Sequence, residues 1–363
     1  MTSFFPSATI TWYMARMFLV RIVAVLFALA LVLQTLDLLG QSGDILAHKG
    51  NGGAQLWFYV SLRLPQIIAF LLPFSVLLAT LITLATMNQN SEVISMKAGG
   101  LSAHQVLAPL FLASFVITVT SFVFNDRIVS RASATLDRWE KVEYGPLPRD
   151  LAIQTNVWVR DGNNLVHADE VRGRGRNIVL NGVTVYNRSQ DALRDVVKAP
   201  KVTYTGTGWR LTGAARFDVA TGLQTPLPDA EVGKDVRPDQ FTLAQVDSDG
   251  LSFLGLRAAI ADLDLAGRPT GSLKADLWHK LSGPLSSMLM PLLGAVAAFG
   301  LARSGQLFVR AVIGMGLGFA YFVADNFGLA MGNLGAYPPW LAAWGPFALF
   351  LLIGETVLIR TEE

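Results

Sequence analysis

Charge is concentrated in the middle of this chain, and long apolar stretches flank it on both sides. Of the 56 charged residues, 38 lie between Asp126 and Arg268, and the other 18 are spread over 220 flanking positions. A charged side chain costs several kcal/mol in hydrocarbon. The distribution therefore predicts a membrane protein whose two membrane-spanning halves are separated by one soluble domain.

Composition narrows the class of protein further. Hydrophobic residues make up 52% of the 363, charged residues make up 15%, and the mean hydropathy is +0.43. The hydrophobic content is higher and the charged content lower than is typical of soluble globular domains, as expected for a membrane protein. The central charged segment is balanced, with 19 basic and 19 acidic residues, which argues against a nucleic-acid-binding face. The absence of cysteine excludes disulfides, thiolate catalysis and cysteine-ligated metal sites.

Six apolar segments are predicted to cross the membrane, since a spanning helix needs about 20 apolar residues. They comprise residues 17–39, 64–87, 106–124, 281–302 and both halves of 311–354, which a Gly-Ala-Tyr-Pro-Pro sequence interrupts at 335–339. The predicted architecture is an α-helical membrane bundle of three plus three spans with an inserted domain. Residues 1–125 hold spans one to three, residues 126–273 form the inserted domain, and residues 274–363 hold spans four to six.

The short loops predict the orientation of the chain in the membrane. Basic residues are enriched in cytoplasmic loops. One set of predicted loops and termini carries Arg16, Arg21, Lys97, Arg303, Arg310 and Arg360, whereas the opposite set carries His48, Lys49 and Arg63. The prediction is a multi-pass protein with both termini in the cytoplasm and the inserted domain on the other side.

The inserted domain has the sequence pattern of an antiparallel β structure. Short alternating runs rich in Val, Thr, Tyr and Trp predict strands at 153–159, 165–171, 178–186, 195–197, 202–204 and 209–212. The residues Asp161-Gly162-Asn163-Asn164 predict a hairpin turn. Short, evenly spaced strands are typical of a sandwich or barrel. Residues 226–238 have no regular pattern, and 253–265 predict a helix that leads back to span four.

No motif for autonomous catalysis is present. The chain lacks the G-x-x-x-x-G-K-[ST] sequence of a P-loop and the G-x-S-x-G sequence of a serine hydrolase. Its histidines, His48, His104, His167 and His279, do not have metal-ligand spacing. We therefore predict no catalytic residue, no bound metal and no cofactor. Transport, signalling and scaffolding remain as function classes.

The cytoplasmic segment 88–100 contains the most specific local pattern. Ser91 is predicted to cap a short helix, Glu92 suits its positive end, and Gly99 and Gly100 can end it. One interpretation is a simple surface turn. The other is a docking helix at about 89–100, whose apolar edge (Val93, Ile94 and Met96) binds a soluble partner.

Span five contains an acidic residue and several glycines within the predicted membrane. Asp325 is a functional candidate because a carboxylate is costly in hydrocarbon, but a hydrogen bond to a neighbouring helix is an equal alternative. The pairs Gly314/Gly318 and Gly328/Gly332 permit close helix approach. That approach would be either to a fixed neighbour or to a partner subunit.

Several of these segments together resemble a known family. Residues 91–99 are similar to the S-E-[LV]-x-x-M-x-A-x-G motif of the lipopolysaccharide export permeases of the LptF/LptG family. Residues 158–164 resemble the W-x-x-D-G-N hairpin typical of the LptG branch, and segments 278–285 and 323–326 resemble the family at spans four and five. The motifs occur in order, and the similarity covers nearly the whole chain.

The resemblance implies a half-transporter whose inserted domain is a periplasmic β-jellyroll. Its implied partners are an LptF-type permease, an LptB-type ATPase dimer, an LptC-type membrane protein with a periplasmic bridge, and lipopolysaccharide itself. ATP hydrolysis would occur on the separate ATPase, in agreement with the missing P-loop. The implied location is the bacterial inner membrane, with the β domain in the periplasm.

The resemblance also implies roles for individual residues. Those implied to couple to the ATPase are Ser91, Glu92, Val93, Ile94, Met96 and Lys97. Those implied to line the gate or the substrate path are Gln34, Asp37, Gly314, Gly318 and Asp325. The residues of the jellyroll hairpin are Trp158, Asp161, Gly162 and Asn163.

One departure from the family concerns charge at the outer end of span one. LptG relatives often carry basic residues there, but this chain has Gln34, Asp37 and Asp44, with His48 and Lys49 beyond. Either a partner supplies the positive charge, or a different head group is recognised. Two other functions stay open from the residues alone: an ion-driven secondary transporter, and a mechanotransmitting or scaffolding membrane protein.

Overall fold

The computed structural model divides the chain into two compact units. One comprises Met1–Gly145, Ser248–Asp264 and Arg268–Glu363, and the other comprises Pro146–Asp247 with Leu265–Gly267. The residues that the structure describes are 6–146, 154–161, 164–173, 178–189, 192–206, 208–227, 230–232, 241, 247–265, 268–299 and 307–360.

The first unit is helical. Its helices are α1 (Ala8–Ala47), α2 (Gly53–Gln89), α3 (Glu92–Ala98), α4 (Ala103–Phe124), α5 (Ser130–Lys141), α6 (Phe253–Leu265), α7 (Gly271–Phe299), α8 (Leu307–Asn333) and α9 (Pro339–Arg360). A π-helical turn (Asn125–Val129) joins α4 to α5, so that Ala103–Lys141 is one continuous helix. The predicted helix at 253–265 is confirmed as α6.

Five helices among the described residues are long and apolar enough to cross a membrane. They are Ala8–Ala47, Gly53–Gln89, Ala103–Lys141, Val312–Asn333 and Pro339–Arg360. The remaining predicted span, 281–302, overlaps α7, whose apolar part contains three serines and two prolines. Residues 300–302 lie outside the described residues. This sixth span stays a prediction. Together the apolar helices confirm a membrane bundle.

Helix α7 is the centre of this bundle and packs against α2, α4, α8 and α9. Its residues Leu289, Leu292 and Leu293 are completely or almost completely buried. Glycines bring the neighbouring backbones close: a Cβ added to Gly294 would lie 2.7 Å from Thr80 Cγ2, and one added to Gly354 would lie 2.6 Å from Leu292 Cδ2. Small residues at such positions are the usual means of tight helix packing in membranes.

Both ends of helix α6 are joined to the rest of the helical unit. At its start, the backbone N–H of Phe253 donates to Asp126 Oδ1 of the π turn, and the rings of Phe122 and Phe253 are 6.3 Å apart. At its end, Asp264 accepts a hydrogen bond from the Thr270 hydroxyl and forms an ion pair with Lys274. These two donors hold the pKa of the Asp264 carboxyl below its usual range.

The second unit is an antiparallel β domain. Its strands are β1 (Gln154–Asp161), β2 (Asn164–Arg172), β3 (Val179–Ser189), β4 (Ala192–Tyr204), β5 (Trp209–Thr212), β6 (Ala215–Asp218), β7 (Gln224–Pro226) and β8 (Ala230–Val232). They form one eight-stranded sheet in the order β1-β2-β3-β4-β5-β8, with β6 paired to β4 and β7 paired to β6. The β insertion is confirmed.

Strand β4 differs from the prediction, which divides it into 195–197 and 202–204. A break is expected at Pro200, because proline has no N–H to donate to a ladder. In the structure β5 pairs with β4 from Lys201 onward and β6 pairs with it up to Lys198. Pro200 therefore lies in the gap between these two partners, beside Gly213, where no ladder bond is lost.

The β domain has its own apolar core, built from the alternate residues of its central strands. Its buried members include Val157, Val159, Val166, Ala168, Leu180, Val183, Val197, Ala199, Trp209, Leu211 and Phe241. The period-2 alternation that predicts the strands is thus the alternation that buries one face. The strands β6, β7 and β8 are not among the predicted ones, and β8 lies within 226–238, where the sequence predicts no regular structure. Strands β6 and β7 have no fully buried side chain, so no apolar run indicates them.

Candidate functional site

Helix α3 forms where the sequence predicts a docking helix, but its start differs from the prediction. Ser91 occupies the N-cap position with φ of +61°, and its side chain makes no capping hydrogen bond. This left-handed conformation is costly for a residue with a Cβ, so the predicted cap is wrong in its geometry. The end of α3 is as predicted: Gly100 has φ of +89° and its N–H donates to Lys97 O (2.9 Å).

The apolar edge predicted for α3 divides between two faces. Val93 is 3% exposed and, with the half-buried Met96, belongs to the core cluster of the helical unit. Ile94 is 64% exposed and lies on the same short helix as the exposed Lys97. Two side chains therefore anchor the helix to the bundle, while Ile94 and Lys97 lie on a surface that a soluble protein can contact.

Glu92 connects α3 to the first span. Its Oε1 accepts hydrogen bonds from the Tyr13 hydroxyl on α1 (3.4 Å) and from Asn90 Nδ2 (3.3 Å). Tyr13 is 79 residues away in sequence. This contact joins α3 to the start of α1.

Arg21 attaches α1 to α2 near the same end of the bundle. Its guanidinium donates to the Ile82 carbonyl (3.3 Å) and to Thr86 Oγ1 (3.1 Å). Basic residues near span ends commonly extend towards the membrane surface. Arg21 instead binds backbone and hydroxyl oxygens of the neighbouring span.

A second polar connection between α1 and α2 lies at the predicted outer end of span one. Asp37 accepts hydrogen bonds from the Tyr59 hydroxyl (2.7 Å) and from Arg63 Nε (3.2 Å), and Arg63 Nη2 is 3.1 Å from the same carboxylate. Arg63 Nη1 also donates to Gln66 Oε1 (2.6 Å). Asp37 is 18% exposed at its side chain. The charge of Arg63 is thus balanced within the chain.

Gln34 lies one turn before Asp37 and is 8% exposed. Neither its amide nitrogen nor its amide oxygen has a hydrogen-bond partner among the described residues. Burying an amide without a partner costs free energy that a packed leucine would not. The Gln34 amide can therefore donate and accept hydrogen bonds that the described part of the fold does not make.

Asp325 forms a pair with His279 inside the membrane bundle. Asp325 Oδ2 on α8 is 3.0 Å from His279 Nε2 on α7, and the Asp325 side chain is 13% exposed. Asp325 Oδ1 has no partner among the described residues. The carboxylate thus connects spans four and five within one chain, the alternative that the sequence left open.

Most of the span-five glycines contact helices of the same chain. A Cβ added to Gly318 would overlap Leu77 Cδ2 on α2, and one added to Gly332 would overlap Ala342 Cβ on α9. One added to Gly328 would lie 2.9 Å from the Ala342 carbonyl oxygen. Gly314 is also buried.

Helices α1 and α8 each leave one long apolar face uncovered. The exposed large apolar residues of these faces are Val20, Val23, Phe27 and Leu31 on α1, and Val312, Met315, Phe319, Val323 and Phe327 on α8. Leu36 and Leu39 are also exposed, on another side of α1. Their exposure is compatible with lipid and with a second membrane protein.

The predicted hairpin of the β domain contains an aromatic cluster. β1 ends at Asp161, which pairs with Asn164 of β2. Gly162 and Asn163, and the side chain of Asp161, lie outside the described residues. Trp158 is exposed, its ring centroid is 4.4 Å from that of His167, and it stacks on Tyr186 at 5.8 Å with an interplanar angle of 16°.

Comparison with known proteins identifies the family. Residues 12–360 match the family described as lipopolysaccharide export system permease LptF/LptG. The lipopolysaccharide export system permease protein LptG of Escherichia coli (strain K12) is 28% identical over 313 residues, which cover 83% of this chain and 84% of that protein. The LptG of Haemophilus influenzae is 22% identical over 352 residues, 94% of this chain and 97% of that protein.

Proposed function

The chain belongs to the LptF/LptG family of lipopolysaccharide export permeases and is most like LptG; we propose that it is the permease subunit of an ATP-driven exporter. In this role it extracts lipopolysaccharide from the inner membrane and passes it to a periplasmic bridge. The energy comes from an LptB-type ATPase dimer on the cytoplasmic side. The chain itself is a multi-pass inner-membrane protein and carries no P-loop sequence.

The geometry of α3 is the main support for the proposed coupling to an ATPase. A helix of seven residues is anchored by Val93 and directs Ile94 to the outside. Its Glu92 contacts Tyr13 of α1. This arrangement supports a coupling helix that receives a push from a docked ATPase and transfers it to span one.

The uncovered faces of α1 and α8 support a second part of the proposal. An LptF-type permease would face them, so that a cavity for acyl chains lies between the two subunits. Apolar residues such as Phe27 and Phe319 suit contact with acyl chains. Closing the ATPase dimer would narrow this cavity and drive the lipid out of the membrane.

The β domain supports the exit step. Basic residues are concentrated in the short loops and termini on the side of the membrane opposite the β domain. This distribution favours a periplasmic β domain and cytoplasmic termini. In the proposal an LptC-type protein and the periplasmic bridge receive the lipid there. The apolar core of this domain is the surface that acyl chains would use if the sheet opened.

A charge reversal at the coupling helix tests the proposal. We expect Glu92→Lys to reduce copurification of the ATPase and to impair export in a strain depleted of the native subunit. The reason is that the carboxylate at the positive end of α3 is replaced by a cation, on a helix that already carries Lys97. Lys141→Glu is the matched control, because Lys141 is exposed on α5, far from α3 in the chain. Undiminished ATPase binding by Glu92→Lys would contradict the docking role.

A further inference from the structure

One exposed stripe runs along the continuous helix Ala103–Lys141. Its side chains are apolar before the π turn and include two arginines from the π turn onward. Its exposed apolar side chains are Leu112, Phe115, Val116, Val119 and Val123. The stripe continues with Arg127 and Arg131, which are also exposed. The spacing of three or four residues keeps all of them on one side of the helix.

The two arginines have no partner in the part of the chain that the structure describes. Neither guanidinium takes part in a hydrogen bond or an ion pair there. The nearest carboxylate in sequence, Asp126, is occupied by the backbone N–H of Phe253. By contrast Arg138, further along the same helix, donates to Ala134 O and Thr135 Oγ1. Arg127 and Arg131 therefore carry free positive charge.

Arg127 lies at the height of the head-group layer, and Arg131 lies about one turn beyond it. The apolar stripe from Leu112 to Val123 extends about 16 Å, and Arg127 and Arg131 follow about 6 Å and about 12 Å beyond Val123 at 1.5 Å per residue. The polar layer on each side of a bilayer is about 5–7 Å thick. Helical side chains tilt towards the N-terminus of their helix, and here that direction points back to the membrane.

The π turn contributes to this alignment. In an α-helix of 3.6 residues per turn, each step of four residues overshoots a full turn, so a stripe of such steps drifts round the helix. The wider π turn at Asn125–Val129 reduces the overshoot between Val123 and Arg127. The arginines consequently remain in line with the apolar residues below them.

We infer that this stripe is a binding site for an anionic phospholipid of the surrounding leaflet, with acyl chains along Leu112–Val123 and the phosphate between Arg127 and Arg131. The surface is convex and belongs to a single helix, which suits a boundary lipid. The other arginine at a comparable place in the bundle, Arg63, is neutralised by Asp37. The inference uses the membrane insertion of the bundle and is independent of what the protein exports.

Lipid retention in nanodiscs tests the site. The whole protein is reconstituted in phosphatidylcholine with phosphatidylglycerol, and retained phosphatidylglycerol is measured by native mass spectrometry. A basic residue near an anionic surface contributes about 1 kcal/mol, which is about five-fold in affinity, so Arg127→Gln/Arg131→Gln should weaken binding about 25-fold. Arg127→Lys/Arg131→Lys should retain most of it. Lys141→Gln, on the same helix about 15 Å beyond Arg131, should leave it unchanged.

A photoreactive residue at Ile128, exposed between the arginines, gives a second readout that does not depend on removing charge. It should capture phosphatidylglycerol in preference to phosphatidylcholine. Equal phosphatidylglycerol retention by the glutamine variant and the native protein would overturn the site. Capture of lipopolysaccharide or of a protein subunit in place of phospholipid would overturn the proposed occupant.

Discussion

Helices α1 and α8, two of the helices with exposed apolar surface, are held to the bundle by different interactions. Polar groups attach α1 to α2 at two points, Arg21 and Asp37, which are about 24 Å apart along the helix. Close glycine contacts attach α8 to α2 and α9, with one polar pair, His279–Asp325. Hydrogen bonds to specific atoms fix the rotation of α1, whereas glycine contacts fix the distance of α8 from its neighbours.

This difference indicates how each helix can move. Because α1 is bonded to α2 at two points along its length, Arg21 and Asp37, we expect α1 and α2 to move as one body when α3 is displaced. Helix α8 can rotate or slide only if its contacts with Leu77, Ala342 and His279 adjust together. Disturbing each kind of attachment separately should show whether the two helices depend on it.

The largest effect is expected from filling a glycine contact. Gly332→Val places a Cβ in the space that Ala342 Cβ already fills and 3.3 Å from Ala275 Cβ, and its methyl groups add to the overlap. Overpacking of this kind costs about 3 kcal/mol. Thermal unfolding in detergent should show a clear fall in Tm. Gly316→Ala is the control on the same helix, since nothing lies within 4 Å of its Cβ position; an equal fall for both variants would contradict the account.

Breaking the polar pair of α8 should have the next largest effect. Asp325→Ala removes a hydrogen bond to a group that can carry charge, which costs about 2 kcal/mol. Asp325→Asn keeps the size of the side chain but loses the carboxylate, and we expect it to impair export or assembly. The measurement is complementation of a depletion strain together with Tm. Full complementation by Asp325→Asn would show that the carboxylate has no role in transport.

A smaller effect is expected from the outer attachment of α1. Asp37→Ala leaves Arg63 without its carboxylate and the Tyr59 hydroxyl without its acceptor. Because Arg63 is partly exposed, we expect a loss of about 1.5 kcal/mol. Asp37→Ala/Arg63→Gln should restore part of the loss because no unpaired charge remains. A double-mutant cycle on unfolding free energies measures the coupling. Additive losses would mean that the pair does not hold α1 to α2.

The smallest effect on stability is expected at the contact between α1 and α3. Tyr13→Phe removes one long, exposed hydrogen bond, which is worth about 0.5 kcal/mol. Its consequence should instead appear in coupling, as ATP hydrolysis that continues while lipopolysaccharide release falls. Trp12→Phe, exposed at the adjacent position, serves as the control. Unchanged coupling in Tyr13→Phe would exclude this contact as the connection between α3 and span one.

The elements of this fold were predictable where a local pattern was long enough. The periodicity of 253–265 indicates both bounds of α6, and the hairpin residues indicate the pairing of Asp161 with Asn164. The position of the short helix α3 is predictable, but the left-handed Ser91 is not, since serine at that position normally indicates a cap.

The pairs Asp37–Arg63 and His279–Asp325 could not be predicted from the sequence. Their members are 26 and 46 residues apart, and their meeting depends on the rotation of each helix about its axis. Apolar content alone does not specify that rotation in a helix that is hydrophobic on all sides. Opposite charges at matching depths on adjacent spans were the one available signal for Asp37 and Arg63.

Photocrosslinking to lipopolysaccharide tests the central claim, that the uncovered faces of α1 and α8 form the path of the exported lipid. Photoreactive residues are placed at Phe27, at Phe319 and, as a control, at the similarly exposed Phe115 on α4. The account predicts that Phe27 and Phe319 capture lipopolysaccharide and lose it when ATP is added to the assembled transporter, whereas Phe115 does not. Capture at Phe115 alone, or equal capture at all three positions with no response to ATP, would contradict it.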